Sequence, residues 1–154
     1  MALKITELFQ TESHPVADGT HCTRSRTVQF ATGSGDLPRN CPVVFDDTAL
    51  MWKPLAHNGA AATGSIRGFV WPEAITLDGS DEVLGVIMVE GEMNYGDCST
   101  AAIRTACGSI SEANLKTALR NGQEHDVLGA GDPIKDQPSL RELGINVTGV
   151  TLIS

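Results

Sequence analysis

The chain has 154 residues, 41% apolar, 19% charged and only 5% aromatic, with a formal net charge of −8 and an isoelectric point near 4.8. That length suits one domain able to bury a core without metal or disulfide staples, and the acidic balance argues against a surface built for phosphate backbones or anionic membranes. No apolar run approaches a bilayer span, no charged-then-apolar leader opens the sequence, and Cys22, Cys41, Cys98 and Cys107 form no CxxC pair, so the expectation is an intracellular protein with free thiols.

Residues 1–20 (MALKITELFQTESHPVADGT) read as a mobile arm. Leu3, Ile5, Leu8 and Phe9 give it apolar character without a sustained period, and His14-Pro15 and Asp18-Gly19 break any helix. Two readings stay open: a frayed terminus, or a segment that orders on a partner by adding a strand to a sheet edge. Residues 23–30 (TRSRTVQF) alternate as a strand and meet the turn cluster ATGSGDLPRN. Residues 42–45 and 50–55 predict two more short strands, the second ending near Pro54.

The stretch 64–91 is the centre of the pattern. A strand over 66–71 breaks at Pro72, a short one follows over 75–77, and Asp78-Gly79-Ser80-Asp81 makes a turn into the β-branched run 83–89. The expectation is a hairpin pairing 75–77 with 83–89, the latter apolar on both faces. Turn signals recur every eight to twelve residues or so, as in a sandwich or barrel. After Gly96 the character changes. Asp97 predicts a cap for a helix over 99–107 ended by Gly108, and Ser111 caps a second with Leu115, Ala118 and Leu119 on one face and Asn121-Gly122 as its stop. A polar loop over 123–137, a single helical turn over 138–143 and a closing strand over 145–153 complete the chain. The predicted class is α+β: a small β-rich domain over 21–154, with short strands arranged sandwich- or barrel-like. Two or three short helices lie in its C-terminal half, with 98–137 as a helical insertion.

The search for chemistry yields scattered residues. Cys98 or Cys107 with His125 would serve a thiol hydrolase, but no local signature surrounds them. Glu90 and Glu92 would point to one face of an extended strand, a pattern that suits glycoside hydrolysis as well as plain solvation. His14, Asp18, His21 and Cys22 match no closed metal site, and Gly33-Ser34-Gly35 and Gly129-Ala130-Gly131 match no phosphate cradle. Neither a cofactor nor a metal is expected. Trp52 and Trp71 are the only tryptophans. Either suits the core, an interface anchor (Trp71 beside Pro72 above all) or a carbohydrate-binding β module.

The order of features carries a resemblance. Arg24-Ser25-Arg26-Thr27-Val28 leads through a Gly-rich turn to Leu37-Pro38-Arg39-Asn40-Cys41-Pro42-Val43-Val44. Trp52-Lys53-Pro54-Leu55, Asn58-Gly59-Ala60-Ala61 and Gly64-Ser65-Ile66-Arg67-Gly68 follow, then Glu90-Gly91-Glu92-Met93 and Leu140-Arg141-Glu142-Leu143-Gly144-Ile145. This succession resembles the lambda-type class of bacteriophage head decoration proteins over roughly residues 20–154. Asn40-Cys41 departs from the glycine usual there, and short members lack a counterpart of 98–137. The resemblance implies a non-enzymatic virion protein, made in the host cytoplasm, that sits as homotrimers on the outside of an expanded capsid and stabilises the head. Residues 1–20 would be the arm that orders against the major capsid protein. Leu3, Ile5, Leu8, Phe9, Trp52, Trp71 and Pro72 are the candidate partner contacts, with no catalytic residue, no cofactor and no nucleic-acid or membrane partner carried over.

Overall fold

In the computed structural model the described residues are 14–15, 22–58, 61–63, 66–123 and 138–150. The alternation seen at 23–30 forms a strand because it buries Val28 and Phe30 while leaving Thr27 and Gln29 in solvent. In chain order the strands are β1 (His14–Pro15), β2 (Cys22–Phe30), β3 (Gly35–Leu37), β4 (Pro42–Asp46), β5 (Met51–Pro54) and β6 (Ala56–Asn58). They continue with β7 (Ala61–Thr63), β8 (Ile66–Val70), β9 (Ile75–Leu77), β10 (Val83–Asn94) and, after the helices, β11 (Ile145–Thr148). The helices are α1 (Ala101–Ala106), α2 (Glu112–Gln123) and α3 (Leu140–Leu143). The class is α+β and β-rich, as the sequence predicts.

Five strands close on themselves in the order β2-β5-β4-β8-β10, with β10 returning to β2. The β2–β10 ladder is long and antiparallel, from Val83 opposite Phe30 to Glu90 opposite Arg24. The opposite seam is thin: β5 meets β2 in parallel at Trp52 and Phe30 alone, reinforced by Ala31 N–H donating to the Trp52 carbonyl at 2.9 Å. A closed ring removes exposed edges, so barrel wins over sandwich. β10 is long enough to serve two partners. Its register shifts between Met88 and Glu90, Gly91 takes φ 143°, and beyond that bend Gly91 to Asn94 pair in parallel with β11.

The helices share the barrel's core. Ile103, Cys107, Ile110, Leu115, Leu119 and Leu140 are buried in one cluster with Phe30, Val44, Ile66, Phe69, Ile87 and Met88. The apolar face predicted for α2 is therefore the face that covers the barrel. Gln123, buried at its end, accepts from Val147 N–H at 3.0 Å and so satisfies the side of β11 that β10 does not. Ser139 and Glu142 form a capping box on α3, and Gly144 ends it at φ 91°.

Four details correct the expectations. Residues 75–77 do not form a hairpin with 83–89: β9 pairs antiparallel with β3, with Thr76 Oγ1 donating to Asp36 Oδ1 at 2.7 Å. The turn chemistry is nevertheless present, since Asp78 Oδ1 accepts from Ser80 N–H at 2.8 Å and from Asp81 N–H at 3.3 Å. Thr100, not Asp97, caps α1, because Asp97 belongs to the turn that ends β10 and donates its own N–H to the Asn94 carbonyl. Asn121-Gly122 does not stop α2, which runs to Gln123. Gly122 instead permits close approach, as a Cβ there would lie 3.4 Å from Leu140 Cδ1. The closing strand ends at Thr148, and the last residues assigned to it, 151–153, lie outside the described residues.

The β4–β5 connection carries a pH signature. Asp46 Oδ1 accepts from Thr48 N–H at 2.9 Å and Ala49 N–H at 3.1 Å, while Lys53 Nζ lies 3.0 Å from Oδ2. The Ala49 N–H bond, then the Lys53 and Thr48 bonds, hold this carboxyl down at about 2, against an ordinary 3.8. A depressed folded-state pKa means the contribution is full above about pH 4 and lost as pH falls toward 2. Melts of wild type and Asp46→Asn should therefore differ by a constant Tm gap above pH 4 that shrinks as the pH is lowered. A gap that does not change with pH would contradict this role for Asp46.

Candidate interaction surface

The surface forms where β8 ends. Pro72 cannot donate to a ladder, and β8 ends at Val70 just before it; the Trp71–Pro72 peptide is cis. Trp71 itself stays attached, its N–H donating to the Val86 carbonyl at 3.2 Å. The chain then crosses β10 as β9. At the crossing Gly85 has no side chain because none would fit: a Cβ would overlap Ile75 Cδ1 and lie 3.0 Å from Phe30 Cε2. Beside this crossing is an open groove lined by Pro72, Glu73, Ala74, Ile75, Thr76, Leu84 and Val86. Leu84 stands 73% exposed beside it. The groove's lining mixes apolar side chains with Glu73 and Thr76, and the exposed Leu84 offers a partner an apolar contact there. A second groove of small residues, among them Pro38, Ala74, Ala102 and Ala106, lies between the β3–β9 pair and α1.

The predicted contact residues are placed unequally. Pro72 is exposed at the groove and Trp71 is half-buried against the core. Trp52 sits apart on β5, half-buried, edge-on to Phe45 with ring centroids 5.6 Å apart; its backbone closes the barrel seam. Leu3, Ile5, Leu8 and Phe9 lie outside the described residues. The described piece of the arm, β1, pairs antiparallel with the start of β2, His14 opposite Thr23 and Pro15 opposite Cys22.

Among the described residues the catalytic candidates do not assemble. Cys98 and Cys107 are completely buried, burial pushes the Cys98 thiol up to about 12, and His125 lies outside the described residues. Glu90 is ion-paired to Arg24 across the ladder at 3.6 Å, and Glu92 is exposed one bend further on. Of the candidate metal cluster, Asp18 and His21 lie outside the described residues. Among the described residues no three His, Cys, Asp or Glu side chains gather as a metal site, and no helix is long and apolar enough to cross a membrane.

Two features escaped the sequence reading. Leu84 lies inside a run that reads as apolar on both faces, and only the crossing of β9 over Gly85 decides which of its residues stay exposed. Cys41 and Cys107, distant in sequence, meet with sulfurs 3.7 Å apart. Comparison of the chain with protein-family models, with curated proteins and with solved structures finds no match.

Proposed function

We propose that the chain is a decoration protein of a bacteriophage head. It binds the outside of the expanded capsid, contacts the major capsid protein and its own copies as a homotrimer, and stabilises the shell. It is a structural protein made in the host cytoplasm, with no catalytic role and no cofactor. The observation that carries this reading is the β1–β2 pairing. It holds His14 and Pro15, which follow Leu3, Ile5, Leu8 and Phe9 in the sequence, against β2 of the closed barrel, the kind of fixed attachment a cementing arm requires. The exposed Leu84 beside Pro72 supplies an apolar anchor on the body. A trimer presenting three arms and three anchors gains avidity from weak individual contacts, because each later contact is intramolecular. A thiol hydrolase is the poorer reading, since a completely buried nucleophile meets no substrate.

The test is sedimentation of the purified chain with expanded, undecorated capsids of the phage that encodes it. Saturable co-sedimentation is expected. Deleting residues 1–20, or replacing Leu84→Glu, should weaken apparent affinity by about tenfold or more while leaving Tm within a few degrees of wild type. Absence of binding at saturating protein would defeat the proposal, and binding unchanged by the deletion would remove the arm from it.

A further inference from the structure

Cys41 and Cys107 are both completely buried, and their sulfurs lie 3.7 Å apart across a sequence separation of 66. Each is carried on fixed backbone. Cys41 immediately precedes β4, its N–H donating to the Pro38 carbonyl at 3.1 Å and its carbonyl accepting from Val70 N–H at 2.9 Å. Cys107 is the C-cap of α1, its N–H bonded to the Ile103 carbonyl. The third buried thiol is otherwise engaged, Cys98 Sγ donating to the Tyr95 carbonyl at 3.5 Å. A disulfide needs its sulfurs at about 2.05 Å, so closure requires the two sulfurs to approach by about 1.7 Å from their 3.7 Å separation.

We propose that Cys41 and Cys107 are a convertible dithiol–disulfide pair, which stays reduced while the chain folds and staples α1 to the barrel when the chain meets a low-molecular-weight disulfide. One thiol, as its thiolate, attacks the small disulfide and releases one small thiol, leaving a mixed disulfide. The second then attacks the protein sulfur of that adduct and releases the other small thiol. The cysteine pair loses two electrons and two protons, both taken up by the two small thiols formed. This proposal does not depend on the decoration reading.

The environment sets the pace. Contact with the Cys107 thiol and burial hold the Cys41 thiol protonated far above the ordinary range, and neither sulfur is exposed, so exchange proceeds through transient opening of α1 rather than in the closed form. Oxidation is then slow at neutral pH and faster under mild denaturant. Once formed, the bond closes a loop spanning the 66-residue separation and should raise Tm by about 10 °C.

All four cysteines fall in separate tryptic peptides, because Arg24, Arg39, Arg67, Arg104 and Lys116 divide them. The full chain is incubated with oxidised glutathione, free thiols are blocked, and non-reduced peptides are mapped by mass spectrometry alongside melts. The expected result is the 40–67 peptide joined to 105–116, with a higher Tm that dithiothreitol reverses. Cys107→Ser and Cys41→Ala proteins should gain nothing from oxidant. A bridge to Cys98 or Cys22, no bridge at all under mild denaturant, or a bridge that leaves Tm unchanged would each overturn the proposal. The mapping is done on wild type and does not depend on the variants folding.

Discussion

Phe30→Ala should lower the free energy of unfolding by about 4 kcal/mol, a large share of the roughly 5–15 kcal/mol that holds a domain folded. Phe30 is completely buried and sits where the ring closes, opposite Val83 on β10 and opposite Trp52 on β5. Its ring edge also fills the space beside Gly85. Truncation removes the transfer energy of a phenyl group and leaves a void in the closed ring that β10, held to β2 along a long ladder, cannot move in to fill. Urea unfolding should show a lower midpoint with an unchanged slope, since the same surface is still exposed on unfolding, and Tm should fall by about 10 °C. The location of the damage is a second readout. The β2–β5 seam rests on one bridge, so amide exchange at Ala31, which donates to Trp52, should accelerate more than exchange along the β2–β10 ladder. A loss below about 1 kcal/mol would mean the ring is not packed around Phe30.

Local signals were legible where a short stretch decides its own conformation. The alternation at 23–30, the short apolar run beginning at Ile66, Ser111 at the head of α2 and the Pro138 to Gly144 turn all formed as their residue types dictate. Partner choice was not legible, because it is settled between distant residues. β9 leads into a good turn sequence yet pairs with β3, whose Asp36 is 40 positions from Thr76. Asp97 and Thr100 are both competent caps. The choice fell to Thr100 because the end of β10 uses Asp97 in its own turn, with Asn94 accepting from Asp97 N–H. For the interaction surface, Trp71 and Pro72 were visible as an unusual pair at a strand end. Leu84 was not, since the exposure of one residue within the run 83–89 depends on β9 crossing above its neighbour Gly85.

The same crossing separates two glycines that look alike in sequence. Gly68→Ala should destabilise the protein by about 3 kcal/mol, exceeding the fraction of a kcal/mol that alanine returns by restricting the unfolded chain. A Cβ at Gly68 would lie 2.7 Å from the Met88 carbonyl oxygen, with Ile87 Cδ1 at 3.2 Å. That oxygen belongs to β10 at the rung where Met88 pairs with Phe69, and β8 is held on its other side by β4 with a register shift between Val43 and Val44. Neither strand can retreat without breaking ladder bonds on both sides of β8. At Gly85 the main obstacle is Ile75 Cδ1, the end of a side chain. Gly85→Ala should therefore be rescued in part by Ile75→Val, which deletes that atom, with a favourable coupling of about 1 kcal/mol in a double-mutant cycle. Gly68→Ala should show no comparable rescue from Ile87→Val, because the carbonyl remains. Equal rescue at both sites would mean that the β8–β10 backbone yields where the ladder says it cannot.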